Sequence, residues 1–378
     1  MIKLLNILKR MLLIILSIIV LLVGSYLVFV RITPAFGGDV SKELKTTYSK
    51  ISEQHKNGKF ENINGVDDDI NFSKGLKIMR KMLFEKNPNA KPSKEIPIID
   101  ADSTQIANYE GETRLMWFGH SSFLLQIEGQ QILIDPMLTD MPAPINRDAQ
   151  KRFYEELPIE MEQLPNIDAV LISHDHYDHL DYKSITNLKD KVGHFYVPLG
   201  VGVHLKAWGV QDKRITEMDW WETKNFKGLN FISAPAQHFS GRKFDNRNST
   251  LWCSWIIQSS NDNIYFSGDG GYNGHFKTIG DKYGPFDFAM IECGQYNQMW
   301  AKIHMMPEET VQAGIDLRAK KMMPIHWGTF TLALHDWNEP VIRAVKRARE
   351  LKIPITTPKI GEFVLVNDEN LANQIWWN

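Results

Sequence analysis

Cysteine is nearly absent: Cys253 and Cys293 are the two in 378 residues. They lie far apart in apolar runs, which excludes a disulfide framework and a cysteine zinc knuckle. An excess of basic charge is lacking too. Forty-three Lys and Arg against 45 Asp and Glu leave a formal net charge of −2. Without a basic face there is no counterion release to hold a polyanion, so no nucleic-acid partner is expected. No repeat of fixed period and no low-complexity tract is visible. A hydrophobic content of 43% is that of a globular protein with a substantial core, in one large domain or two small ones.

Long apolar runs are scarce as well, with one exception. Met11 to Val30, MLLIILSIIVLLVGSYLVFV, is twenty residues without a charge, and at about 1.5 Å per residue it matches a hydrocarbon core of about 30 Å. A cleaved signal peptide has a shorter apolar region and ends at a small-residue site; YLVFVRITPA offers none. Residues 1–30 are therefore expected to be an uncleaved, single-pass membrane anchor. Lys3, Lys9 and Arg10 before the span predict that the chain beyond it lies outside the cytoplasm, a bias that Arg31, Lys42 and Lys45 after it weaken.

Residues 31–105 read as a connector. TPAFGG opens it, a helical pattern runs from Ser41 to His55, and a polar run, KNGKFENINGVDDD, follows. A second helical pattern, FSKGLKIMRKMLFEK, ends before the breaker NPNAKPSKEIP. The main domain covers 106–378, where short strand patterns recur: TRLMWFG, SFLLQIEG, QQILIDP, IDAVLIS, LNFISAP, WCSWIIQS, NIYFSGD, FDFAMIEC and KKMMPIHW. Helical patterns fall at MPEETVQAGIDLRAKK and NEPVIRAVKRARELK. Strands joined by tight turns early and alternating with helices later predict sheets covered by helices, an α/β or α+β layered domain.

The stretch SHDHYDHLD, residues 173 to 181, follows the apolar strand pattern IDAVLI. Its histidines stand at i, i+2 and i+5, with an aspartate at i+4. On an extended segment His174 and His176 project to the same side and can grip one ion. Asp178 and His179, in the turn beyond, can grip a second. Imidazole with carboxylate suits zinc, with iron or manganese as alternatives. Paired ions need donors from other strand ends, and three are present: His238 closes LNFISAPAQH, Asp269 closes NIYFSGD and His326 closes KKMMPIH.

HDHYDH with His238, Asp269 and His326 resembles the metallo-β-lactamase superfamily. That likeness implies a four-layer αβ/βα sandwich, here preceded by the N-terminal transmembrane helix, with metals at the sheet edge. A closer likeness runs through WFGHSSFLLQIEGQQILIDP, DAVLISHDHYDHLDY, VPLG, DWWE, FSGDGGY, GPFDFAMIECGQY, MPEETVQAG and PIHWGTFTLALHDWNEP, which resemble the branch of phospholipases D that hydrolyse N-acyl-phosphatidylethanolamine. It covers about Tyr109 to Gly361 and stops short of the connector; MLTDMPAPINRDAQ departs from it, where substrate would enter. The resemblance implies that His174, His176 and His238 hold one Zn2+, Asp178, His179 and His326 the other, and that Asp269 lies between them with a bridging hydroxide as nucleophile. Asp178 and His304 are the catalytic groups it implies. The phospholipid would be cut to N-acylethanolamine and phosphatidic acid.

Asp135, in ILIDP, and His120, in WFGHSS, are candidates to orient a ligand histidine; each equally suits a plain structural role. His304 in KIHMMPEE suits contact with the phosphate or protonation of the leaving alkoxide, or a helix cap. His55, His194, His204, His275 and His335 belong to no strand-end cluster and are expected to be structural or on the surface. Met299, Trp300, Met305 and Met306 surround His304 as a lipid groove wall or as core. Two other functions remain open: a metal-dependent lactonase or other ester hydrolase of the same fold, and a lipid- or metal-binding envelope protein without turnover.

Overall fold

The structure, a computed structural model, describes residues 2–65, 72–85, 87–145, 148–369 and 375–378. The end of the polar run after His55, Lys86 in the second helical pattern and residues 146 and 147 of the loop before Lys151 lie outside the described residues. Helix α1 (Ile2–Ile32) has a mean hydropathy of 3.0 over its most apolar window, none of it buried. Its thirty-one residues reach about 46 Å at 1.5 Å per residue, long and apolar enough to cross a membrane.

Helix α2 (Lys42–Ile51) begins at Ser41, whose hydroxyl accepts from the Leu44 N–H, a standard cap for an orphaned helix donor. The predicted helix to His55 is cut short because Ser52 is extended, with φ −120° and ψ 126°. His55–Lys56 (β1) instead pairs with Lys59–Phe60 (β2). Helices α3 (Phe72–Phe84) and α4 (Ser103–Ala107) follow before the first sheet begins. Tyr48 and Phe60 are buried in the same core as the sheets.

The first sheet starts as a meander of β3 (Arg114–Gly119), β4 (Ser122–Ile127) and β5 (Gln130–Ile134). Strands β6 (Ile167–Leu171), β7 (Val192–Pro198) and β8 (Ile215–Met218) then run parallel to β5, with α5 (Tyr182–Leu188) and α6 (Gly202–Ala207) in the crossovers. The second sheet is antiparallel through β9 (Thr223–Phe226), β10 (Leu229–Ala234), β11 (Ser254–Gln258) and β12 (Asn263–Phe266). It turns parallel at β13 (Phe288–Glu292) and β14 (Met322–Ile325), through α7 (His275–Tyr283) and α8 (Pro307–Asp316). Helix α9 (Glu339–Leu351) packs on α8, and β15 (Phe363–Leu365) closes the first sheet beside β3.

The sheets face one another. Phe123 on β4 meets Phe266 on β12 at 6.3 Å between ring centres, and Tyr196 on β7 meets Phe231 on β10 at 5.0 Å. Strands β4 and β13 are buried at every position, as expected where helices cover the outer faces. Sequence patterns missed β7, whose apolar run is broken by Gly193, His194 and Pro198, and the short polar edge strands β8 and β9. Parallel strands send their carboxyl ends the same way, so Asp135 follows β5, His174 follows β6, Asp269 follows β12, Glu292 ends β13 and His326 follows β14.

Candidate metal centre

Those strand ends, with the β3–β4 turn, bring the predicted donors to one edge. Three site residues need unusual backbone to get there: His120, Asp135 and His326 have φ of 51°, 41° and 67°. Left-handed conformations in residues other than glycine cost energy and mark positions the fold over-determines. At Gly294 a Cβ would fall 1.8 Å from the His326 carbonyl oxygen, so only glycine lets the chain after β13 pass so close.

Hydrogen bonds settle which nitrogen of His238, His174 and His179 faces inward. The His238 Nδ1–H donates to the Ile303 carbonyl at 2.9 Å, leaving the Nε2 lone pair directed 3.2 Å from His176 Nδ1. The Ser173 hydroxyl donates to Asp135 Oδ2 at 2.5 Å and accepts from the His174 Nδ1–H at 2.9 Å. His174 Nε2 therefore also points inward, 2.9 Å from His176 Nδ1. Asp269 Oδ2 stands 3.8 and 3.9 Å from the His174 and His238 Nε2 atoms. Burial first, then the neighbouring rings, pushes the pKa values of His174 and His238 well below the usual range, and burial brings His176 to about 4. Neutral imidazoles with converging lone pairs repel one another unless a cation lies among them, which is the ligand form that metals take.

A second group, His120, Asp178, His179 and His326, adjoins the first. The His179 Nδ1–H donates to Asp135 Oδ2 at 2.7 Å, and Nε2 faces Asp269 Oδ2 at 3.0 Å. Asp178 Oδ2 lies 2.9 Å from His120 Nε2, 3.6 Å from His179 Nε2 and 4.0 Å from His326 Nε2. His326 Nδ1 is 3.2 Å from Asp269 Oδ1 and 3.1 Å from the Ser121 hydroxyl. At His179, burial, which lowers the pKa, is outweighed by Asp269 and Asp178, and the pKa rises well above normal. The carboxylates thus demand positive charge at this point. Asp269 Oδ1 is buried and, although 3.2 Å from His326 Nδ1, accepts no hydrogen bond among the described residues, a costly state in a protein interior. Donor chemistry, tautomers and this orphaned oxygen all fit divalent ions, with Asp269 between the two groups.

Above them is a cavity of about 230 Å³. His176, Asp178, Asp269, His304 and His326 form its polar floor; Phe239, Trp300, Ile303 and Leu332 line it with Ile78 and Met82 of α3. The expected apolar group around His304 divides: Trp300 lines the cavity, whereas Met305 is buried in the main core. His304 Nδ1 hydrogen-bonds Glu292 Oε1, and the Gly270 N–H donates to Glu292 Oε2 at 2.6 Å. Burial raises the Glu292 pKa well above normal.

Glu292 was missed in the sequence, although it ends the strand pattern FDFAMIEC as Asp269 ends NIYFSGD. Gln295 was missed too; its side chain lines the cavity, and its N–H donates to His335 Nε2 at 2.9 Å. Asn62, from the predicted connector, accepts from the His238 N–H at 3.0 Å and donates to its carbonyl at 2.8 Å. Among the histidines left out of the cluster, His204 Nε2 sits 3.3 Å from Asp175 Oδ2 beneath the metal loop. His275 is buried on α7, His194 bonds Thr216 and His55 bonds Ser49.

Two facing mixed sheets with histidines and aspartates at one edge define a metal-dependent hydrolase of the metallo-β-lactamase fold. The chain belongs to the metallo-β-lactamase superfamily: residues 130–327 match the family model described as beta-lactamase superfamily domain. An uncharacterised protein of Mycobacterium tuberculosis is 37% identical over 339 residues, 88% of this chain and 89% of its own. The N-acyl-phosphatidylethanolamine-hydrolyzing phospholipase D 1 of Caenorhabditis elegans is 36% identical over 234 residues, 58% of this chain and 65% of its own. The structure of Igni18, a metallo hydrolase from the archaeon Ignicoccus hospitalis, superposes with a TM-score of 0.50 over 67% of this chain and 98% of that one, at 22% identity. That last likeness is one of fold.

Proposed function

We propose that the protein is a zinc-dependent phosphodiesterase of phospholipase D type that hydrolyses N-acyl-phosphatidylethanolamine-like lipids at a membrane surface. The observation that carries this reading is the cavity, which sets a floor of inward-facing donors against an apolar wall in a chain that also bears a membrane-length helix. The named activity of the worm relative supports the same substrate class. On this reading α1 anchors the chain, residues 106–378 form the hydrolase unit, and Lys3, Lys9 and Arg10 keep the catalytic part outside the cytoplasm.

His174, His176 and His238 would hold one ion and Asp178, His179 and His326 the other, with Asp269 shared; His120 steadies Asp178. Bound zinc supplies a Lewis acid and a water whose pKa falls to about 7. Hydrolysis then puts the water oxygen on phosphorus and breaks the P–O bond to the N-acylethanolamine. The leaving oxygen needs a proton. His304 would give it: Glu292 holds its Nδ1, and the ring lines the cavity. The apolar wall excludes water and takes the acyl chains.

The test uses the full chain stripped of metal, reloaded with zinc and offered N-acyl-phosphatidylethanolamine, an acyl lactone and a β-lactam. We expect zinc-dependent release of N-acylethanolamine. Turnover of the lactone or β-lactam with the phospholipid untouched, or hydrolysis unaffected by stripping, would overturn the assignment.

A further inference from the structure

Helix α3 presents three stripes. With about 100° of rotation per residue, Leu76, Met79 and Leu83 fall on one line, and they are 52%, 52% and 68% exposed. Ile78 and Met82 fall on the adjoining line and line the cavity. Lys74, Lys77, Arg80 and Lys81 occupy the remaining arc, joined at its C-terminal end by Phe84, 76% exposed, and the helix contains no acidic residue. Ile78 also packs against Trp300, Ile303 and Ala333, so the helix is held at the cavity mouth and its apolar line is turned outward. A soluble surface does not normally carry three large aliphatic side chains in a row at this exposure.

We infer that α3 is an interfacial helix that lies on an anionic lipid leaflet, inserting Leu76, Met79 and Leu83 and setting its basic arc against the headgroups. The occupant is chosen by charge and position. A basic amphipathic helix with a compact apolar line is the form that binds anionic bilayers, and this chain also carries a helix fit to cross one. Docked in this way, α3 presents to the bilayer the wall next to the one formed by Ile78 and Met82, so the mouth opens where lipid lies. The docking does not depend on which bond the enzyme breaks.

The test uses the full chain in proteoliposomes of phosphatidylcholine with or without phosphatidylserine. Cys253 and Cys293 are buried, so Leu83→Cys supplies one reactive thiol for a fluorophore; Ile342→Cys on α9 is the control. With phosphatidylserine present, we expect the label at 83 to be quenched severalfold more by doxyl-lipids and shielded from aqueous iodide, while the label at 342 stays open to iodide. Adding Lys77→Glu and Arg80→Glu should abolish the phosphatidylserine effect. Iodide access at 83 equal in both lipids would overturn the inference. So would shielding that grows with protein concentration without doxyl quenching, which would mean a second copy covers the helix. A chain that docks but leaves N-acyl-phosphatidylethanolamine intact would sink the proposed activity and leave this inference standing.

Discussion

Asp135→Asn isolates the contribution of a residue that would touch neither metal nor substrate. The replacement keeps side-chain volume and suits a φ of 41°, since Asn and Asp both tolerate left-handed backbone. What changes is hydrogen bonding. Asp135 accepts three donors: the Ser173 N–H at 2.7 Å on Oδ1, and the Ser173 hydroxyl and His179 Nδ1–H on Oδ2. An amide has one oxygen, so either orientation turns an NH2 toward a donor. With the oxygen kept on the Ser173 N–H, the NH2 faces His179, which loses the partner that fixes its tautomer, and His174 loses the serine relay that fixes its own. Losing such an outer partner typically costs 10- to 100-fold in metal affinity or rate, or about 1.4–2.7 kcal/mol. Competition for zinc against a chromophoric chelator reads the affinity directly, and circular dichroism checks the fold. Affinity and turnover indistinguishable from the parent in a folded variant would refute the reasoning that these tautomers are set from Asp135.

Glu292→Gln should lower kcat about 10- to 100-fold, part of the usual worth of a positioned general acid, with zinc content unchanged. A loss of zinc instead would make Glu292 a ligand. His275 predicts a pH effect away from the candidate metal centre. Burial lowers its pKa from 6.5 to about 3, so the unfolded chain binds a proton that the folded chain refuses. Stability is full above 6.5 and falls as pH drops toward 3, by about 1.4 kcal/mol per unit at most. Melting followed in detergent from about pH 7 to 5 should therefore decline more steeply for the parent than for His275→Gln; equal slopes would contradict this.

The donors were readable because each sits just past an apolar strand pattern, a local signal that parallel topology turns into proximity. Glu292 carries the same signal, but its apolar pattern runs on into Cys293, so nothing local separates it from an ordinary strand residue. Asn62 had none: it stands in a polar run, and only the fold brings it to His238, 176 positions away. Spacing could not decide which of Trp300 and Met305 faces the cavity, because the turn between them reverses direction. The third stripe of α3 was equally hidden, since an amphipathic pattern shows that a helix has an apolar side but not that two neighbouring lines serve different surroundings. Strand β7 was lost to Gly193, His194 and Pro198, whose place in a buried sheet is set by long-range pairing.

Arg242 ties the two ends of this arrangement together. Its guanidinium donates to the Asp175 and Leu180 carbonyls at 2.6 and 2.8 Å, and to the Ala35 carbonyl at 2.7 and 3.0 Å. Ala35 is three residues past the end of α1, and Leu180 directly follows His179. A single buried cation therefore rivets the stem of the molecule to the chain that carries its chemistry. On the anchoring proposed above, the depth at which that stem settles would fix how far the reacting groups stand from the lipid.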